Sequence, residues 1–184
     1  MRYKLTDIYK QLKEEEQSAV ASQYTLYCDM DGVIADFDKR FQEFGGMSPK
    51  AYETKYGTNK FWDLITQVGA QFWAKIPWMP EGKALWSYIQ KYKPILLSAP
   101  SQDYSSRYGK KLWAQENLPG TKLVLAKRSN KKDYSGKNKI LIDDREDTIN
   151  EWNAAGGIGI LFTSTSQTIN DLKALGLWVT LNID

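Results

Sequence analysis

Short apolar runs alternate with amphipathic stretches over most of the chain, and this alternation predicts an α/β fold. Five runs have the length and composition of buried strands, and they lie at 24–29, 94–97, 123–126, 140–142 and 158–162. Apolar residues at helical spacing predict helices between and after them, at 80–92, 103–118, 145–155 and 165–175. This order predicts a Rossmann-like, mostly parallel sheet of five strands with right-handed crossovers.

A further helix is predicted at the N-terminus, over residues 5–20. Leu5, Ile8, Tyr9 and Leu12 recur there at helical spacing. We expect the segment 1–21 to pack on the core and cover the sheet, and the alternative is an arm that binds a partner. The same spacing in the helix at 103–118 places one stripe at Tyr104, Tyr108 and Leu112.

Between the first two predicted strands the pattern changes to short helical segments that are dense in aromatic residues. We predict a small helical cap over 37–92, inserted after the first strand into a core formed by 22–36 and 93–184. Most of the rings are expected to form the interior of the cap, and one or two could stack on a flat ligand such as a nucleobase.

The composition narrows the possible chemistry. The chain has 184 residues and a net charge of +3, and its lysines and arginines are spread rather than gathered into a basic patch. It has no histidine, which excludes Ser-His-Asp and Cys-His nucleophile systems and His-ligated zinc. The single cysteine, Cys28, is expected in the core, and it fits a reducing, cytoplasmic location. No long apolar span or signal peptide is visible, so we expect no membrane association.

Carboxylates directly follow two of the predicted strands. Asp29 and Asp31 end the first strand, where Gly32 and a helix start follow, and Asp143 and Asp144 end the fourth. Because parallel strands bring their carboxyl ends to one edge of the sheet, these four carboxylates are expected to converge. They would repel one another unless a cation offset their charge, and oxygen-rich sites of this kind suit Mg²⁺. The sequence therefore predicts a magnesium site for phosphate chemistry.

Two other polar segments also follow predicted strands. Ser98 ends the second strand, and its hydroxyl either holds a phosphate oxygen or caps the next helix, with both alternatives left open. A basic loop after the third strand contains Lys127, Arg128, Lys131 and Lys132. Such a charge run is usually a solvated surface, but one of its lysines could reach the pocket as a point charge for phosphate.

Together these segments resemble the haloacid dehalogenase superfamily of phosphohydrolases. The matching residues are DMDGVIADF from Asp29, Ser98 at the end of ILLS, a lysine of the basic loop, and LIDDRED from Leu141. The 5'(3')-deoxyribonucleotidase family is similar in its first motif, in its helical cap and in the glycine pair Gly156-Gly157 before the last strand. The resemblance spans about 24–162 and implies a haloacid dehalogenase-like fold.

The resemblance implies roles for the acidic residues. Asp29 would be the nucleophile that accepts the phosphoryl group, and Asp31 would protonate the leaving oxygen and then activate water. Mg²⁺ would be held by the Asp29 carboxylate, the Asp31 backbone carbonyl and Asp144. Asp143 would support the ion or the lysine.

The resemblance also implies the residues that bind substrate. Ser98 and the Ala99 amide would bind the phosphate, and Lys131 would neutralise it, with Lys132 as the alternative. The implied substrate pocket contains Phe37, which matches an aromatic residue of relatives, and the cap residues Phe61, Trp62, Phe72 and Trp73. The chain departs from the family pattern in two places. Relatives commonly have Thr-Ser-Pro where this chain has Ser-Ala-Pro after ILL, and the basic loop of this chain is longer.

The resulting prediction is a Mg²⁺-dependent phosphomonoesterase that hydrolyses nucleoside monophosphates, with deoxyribonucleotides favoured, through an aspartyl-phosphate. A phosphatase for other small phosphates or for nucleic-acid 3' ends is a second hypothesis. A catalytically silent module that binds metal or nucleotide is a third. The expected partner is a small nucleotide, with no membrane and no long nucleic acid, and a homodimer stays open.

Overall fold

The predicted strands form one all-parallel sheet in the computed structural model, which describes residues 4–178. The strands are β1 (Thr25–Cys28), β2 (Ile95–Ser98), β3 (Leu123–Leu125), β4 (Lys139–Asp143) and β5 (Ile158–Leu161). Their order across the sheet is β3-β2-β1-β4-β5. The predicted α/β class and the five-stranded sheet are confirmed.

The central strands are buried on both faces, which explains why their sequences are apolar without interruption. Leu26 and Cys28 of β1 belong to the core on one face of the sheet. Tyr27, between them, belongs to the core on the other face, where its ring meets the edge of Trp152 with centroids 5.4 Å apart. Successive side chains of a strand point to opposite faces, so a single strand supplies both layers.

The register brings the carboxyl ends of the strands to a common edge. Cys28 at the end of β1 pairs with Leu96 of β2 and with Ile142 of β4. The backbone amide of Asp29 donates a hydrogen bond to the Ile142 carbonyl at 2.9 Å. Asp29 therefore lies beside the acidic end of β4, with the end of β2 on its other side.

Helices occupy much of the rest of the described chain. They are α1 (Leu5–Ser22), α2 (Phe37–Gly45), α3 (Pro49–Tyr56), α4 (Thr58–Val68), α5 (Ala70–Ala74), α6 (Gly82–Ile89), α7 (Tyr104–Asn117), α8 (Glu146–Ala154) and α9 (Thr165–Ala174). Short 3₁₀ helices cover Gln90–Tyr92 and Arg128–Tyr134. The side chain of Asp103 caps α7 by accepting a hydrogen bond from the Ser105 amide. Ser98 is therefore not the cap of this helix.

Helices α2 to α6 lie between β1 and β2 in the sequence, and their interior is aromatic. Phe41 and Phe61 stack with ring centroids 4.6 Å apart, and Phe72 meets Phe37 edge-on at 5.4 Å. Large rings give a small helical segment enough buried surface to pack, which explains the density of aromatic residues there. The division of the chain into a cap and a core stays a prediction.

Helix α7 lies very close to α5, because Gly109 faces it. A Cβ at Gly109 would lie 2.4 Å from the Ala70 carbonyl oxygen and 2.5 Å from Trp73 Cβ. The predicted stripe of Tyr104, Tyr108 and Leu112 is not the buried face of α7, since Tyr104 and Tyr108 are 78% and 53% exposed. The buried residues of α7 are Ser106, Gly109, Lys110, Trp113 and Ala114.

Helix α1 forms as predicted, but the apolar residues named from its spacing do not pack on the core. Leu5, Ile8, Tyr9 and Leu12 are between 44% and 85% exposed. Amphipathic spacing predicts a helix from local sequence, whereas its burial depends on a partner surface. Within residues 4–178, no helix has the length and apolar character needed to cross a bilayer.

Candidate active site at the carboxyl edge of the sheet

Lys131 joins two of the predicted carboxylates. Its Nζ lies 2.9 Å from Asp29 Oδ2 and 2.7 Å from Asp143 Oδ2, and its side chain is 2% exposed. Burial alone would lower the pKa of Lys131, but Asp29 and Asp143 outweigh burial and raise that pKa above its ordinary value. Lys132, the alternative, is exposed, with its Nζ 3.9 Å from a Glu151 oxygen. The lysine that reaches the acidic strand ends is therefore Lys131.

Asp29, Asp143 and Asp144 form a group that could hold a metal ion. One carboxylate oxygen from each lies within 4.8 Å of the others. Gly32 makes room for this group, since a Cβ there would lie 2.2 Å from Asp144 Oδ2, and its φ of +74° also favours glycine. Carboxylate oxygens are the donors that hard divalent cations prefer, so the residues present fit such an ion.

These carboxylates raise the pKa values of their neighbours. Burial first, and then the charge of Asp29, raise the pKa of Asp143 to about 6 and that of Asp144 to about 7. Asp144 is exposed on the open side of the group, where solvent screens part of the effect. Both shifts have the direction expected when carboxylates are buried close to one another.

Asp31 is held by a lysine that sequence analysis missed. Lys110 of α7 is fully buried, and its Nζ lies 2.5 Å from Asp31 Oδ2 and 3.0 Å from Ser98 Oγ. Burial raises the pKa of Asp31, and the charge of Lys110 opposes this rise. The Asp31 carboxylate lies outside the group of three, and metal binding by its backbone carbonyl stays a prediction. The signal that could have identified Lys110 is its place in a helical stripe of small residues that includes Gly109.

The two aspartates of the first motif each keep one free oxygen. Oδ1 of Asp29 and Oδ1 of Asp31 are buried and have no hydrogen-bond partner among the described residues. Leaving a buried acceptor unpaired costs about 1–3 kcal/mol, so these atoms are candidates to contact a ligand.

A cavity of about 1110 Å³ opens over these residues. Asp29, Asp31 and Asp144 line its floor, and Ala99 in the loop after β2 lines its wall. Sites for drug-sized ligands usually measure about 300–1,000 Å³, so the cavity has the size of a small-molecule site. The further charged residues of the wall are Asp36, Asp38, Asp63, Asp103, Arg128 and Arg145.

Three of the five predicted pocket aromatics line the cavity, namely Phe37, Trp62 and Trp73. Trp62 is 41% exposed, so its ring is open to a ligand. Phe61 and Phe72 are not among the residues that line the cavity, and their assignment to the substrate pocket stays a prediction. They are only 4% and 1% exposed because their rings pack inside the aromatic cluster of the cap.

Cys28 lies next to the site but takes no part in it. It is fully buried in the core, and its Sγ donates a hydrogen bond to the Asp29 carbonyl oxygen at 3.2 Å. Burial and the charges of Asp29 and Asp143 raise the pKa of the thiol well above its ordinary value. A thiol that stays protonated is a poor nucleophile.

Comparisons with known proteins support the fold and leave the family open. No protein-family profile matches the chain, and no curated protein matches it. One solved structure that it resembles is described as a hydrolase from Streptococcus pneumoniae TIGR4. The TM-score is 0.51 and the identity 16%, over 83% of this chain and 98% of that one. Fold and site together define an α/β protein with an acidic, lysine-paired pocket at the carboxyl edge of a parallel sheet.

Proposed function

We propose that the protein is a Mg²⁺-dependent phosphomonoesterase of the haloacid dehalogenase type, acting on nucleoside monophosphates. The observation that carries the proposal is Asp29, a residue of the cavity lining that has one oxygen bound by Lys131 and the other buried and unpaired. A carboxylate held in this way is suited to attack a phosphorus atom, since it needs no histidine to activate it.

The reaction has two steps. In the first, Asp29 attacks phosphorus, the bond from phosphorus to the ester oxygen breaks, and Asp31 gives its proton to the departing oxygen. In the second, Asp31 takes a proton from a water molecule whose oxygen attacks phosphorus. The bond from phosphorus to Asp29 then breaks, which releases phosphate and restores both aspartates.

The remaining residues bind and neutralise the phosphate. Lys131 and the hydroxyl of Ser98, which are buried at the strand ends beside the cavity, would supply donors, and the amide after Ser98 belongs to a cavity-lining residue, Ala99. Mg²⁺ on Asp29 and Asp144 would supply the positive charge that lets a dianionic ester approach a carboxylate. Phosphoryl transfer depends mainly on such positioning and charge neutralisation.

The cavity walls support a nucleotide as the substrate. Trp62 presents an exposed ring on which a flat base can stack, with Phe37 and Trp73 nearby in the same wall. The acidic side chains around the opening disfavour a long polyanion, so we propose a mononucleotide rather than a nucleic-acid end.

The test is phosphate release from a panel of nucleoside 5'- and 3'-monophosphates, with Mg²⁺ and with EDTA. Asp29→Asn should abolish release while the thermal unfolding midpoint stays close to that of the wild type. Release from small sugar phosphates alone would favour the broader phosphatase hypothesis. Tight nucleotide binding by calorimetry with no release of phosphate would instead favour a binding module.

A further inference from the structure

We propose that Lys110, which binds Asp31 and Ser98, is a positioning residue that orients the Asp31 carboxylate for proton transfer. The inference depends on the proposed function, because it assigns Lys110 to the proton-transfer side of that chemistry. It adds a second lysine to the site, on a different helix from the basic loop that contains Lys131.

The ammonium group of Lys110 is fully occupied by protein groups. It is 0% exposed, and it donates to Asp31 Oδ2 and to Ser98 Oγ. It also lies over the Trp73 ring, 5.1 Å from the centroid. A lysine has three N–H donors, so two hydrogen bonds and one ring contact leave none for the substrate.

The hydrogen bonds from Lys110 determine which atoms of Ser98 and Asp31 are free to act on a substrate. Because the Ser98 oxygen accepts a hydrogen bond from Lys110, its own proton is free to be donated to a phosphate oxygen. Because Lys110 holds Oδ2 of Asp31, the unpaired Oδ1 is the atom left to give or take a proton. Lys131 and Asp29 form a similar pair. Lys131 binds Oδ2 of Asp29, which leaves Oδ1 for attack on phosphorus.

The close packing of α7 against α5 places Lys110 in the site. Gly109 allows α7 to approach α5 so closely that any larger residue would meet the Ala70 carbonyl oxygen. The approach places Lys110 beneath the Trp73 ring and beside the end of β2. A purely structural role accounts poorly for this burial, since replacing a buried ion pair by apolar side chains is often neutral or stabilising.

The experiment measures the two steps separately in Lys110→Met, with p-nitrophenyl phosphate as substrate. Its leaving group departs without a proton, so the first step stays fast, whereas hydrolysis of the aspartyl-phosphate still needs Asp31. We expect a rapid burst of about one nitrophenol per enzyme, followed by turnover at least about 100-fold slower than in the wild type. With a nucleoside monophosphate, kcat should fall at least as far, without a burst, because the alkoxide needs the proton.

Lys111→Met is the matched control, because Lys111 is the exposed neighbour on the same helix and has no part in the site. It should keep wild-type kinetics. If Lys110→Met does not fold, Lys110→Gln is measured in its place, with the same burst expected.

Turnover of the folded Lys110 variant within about twofold of the wild type would overturn the inference, given the about 10²–10⁴-fold usual for acid–base catalysis. A slow first step with no burst would also overturn the assignment to proton transfer, because Lys110 would then act through Ser98 on phosphoryl transfer to Asp29. A wild type inactive on every monophosphate would remove the proposed function itself, a result distinct from these two.

Discussion

Replacing Lys131 by Met tests the electrostatics of the site without reference to any substrate. The change removes both ion pairs of the lysine and leaves Asp29 and Asp143 buried beside Asp144. Breaking a buried pair by removing one partner usually costs about 3–5 kcal/mol. For a chain of this size that loss lowers the unfolding midpoint by roughly 6–20 °C.

The loss of unfolding free energy in Lys131→Met should be larger at high pH than at low pH. A carboxyl left without its lysine can protonate, at a cost of about 1.4 kcal/mol for each pH unit above its unfolded-state pKa. With that pKa at 3.8, the upper bound for one carboxyl is about 6 kcal/mol at pH 8 but about 2 kcal/mol at pH 5. A carboxyl whose folded-state pKa is raised favours folding at low pH, and this contribution is lost as pH rises through the raised value.

The assay is urea unfolding of wild type and variant at pH 5 and pH 8, with and without Mg²⁺. We expect a large loss at pH 8, a small one at pH 5, and partial recovery with Mg²⁺ at pH 8. Lys132→Met is the control, because its exposed pair with Glu151 is worth about 0–1 kcal/mol at any pH. Equal losses at the two pH values, or equal losses in the two variants, would refute the reasoning.

Three further predictions concern metal and substrate. Gly32→Ala should weaken Mg²⁺ binding at least about tenfold by calorimetry, because the added Cβ displaces Asp144. Gly46→Ala is the control, because Gly46 has a similar φ of +68° and open space around it. This control should lose about 1–2 kcal/mol of stability through backbone strain and bind Mg²⁺ like the wild type. Mg²⁺ affinity of the wild type should rise from pH 5 to pH 8, since the pKa of Asp144 is raised to about 7 and the ion competes with its proton; an affinity independent of pH would contradict this. Trp62→Ala should raise KM for a nucleoside monophosphate about fivefold or more while leaving kcat for p-nitrophenyl phosphate unchanged, and an unaltered KM would exclude stacking on this ring.

The acidic edge of the sheet could be predicted from sequence because each of its carboxylates lies next to an apolar run that is recognisable by itself. Asp29 and Asp143 each follow an apolar run directly, and parallel strands must bring such positions together. The choice between Lys131 and Lys132 could not be predicted, since the two residues are adjacent and the backbone of the folded loop determines which side chain is buried.

The burial of Lys110 and the exposures of the cap aromatics could not be predicted, for a different physical reason. Hydrophobic spacing assigns the larger apolar residues to the interior, and so it selected Tyr104 and Tyr108 on α7. The close approach at Gly109 instead favours small residues, and the buried lysine beside it is stabilised by charge rather than by apolar contact. Phe61 and Trp62 are likewise neighbours on α4, and their opposite exposures follow from how the helix is rotated, which local sequence does not specify.

The carboxyl edge of the sheet carries more acidic side chains than buried lysines. Four carboxylates, those of Asp29, Asp31, Asp143 and Asp144, lie near two buried ammonium groups of the described chain, those of Lys110 and Lys131. When all are ionised, two negative charges are left, which a single divalent cation would neutralise. Burial and the charge of Asp29 raise the pKa values of Asp143 and Asp144, which is the direction expected where negative charge is concentrated. A phosphate dianion would add two more negative charges to the same place, so the cation should bind before the substrate, and nucleotide affinity measured in EDTA should be weak even where the aromatic wall is intact.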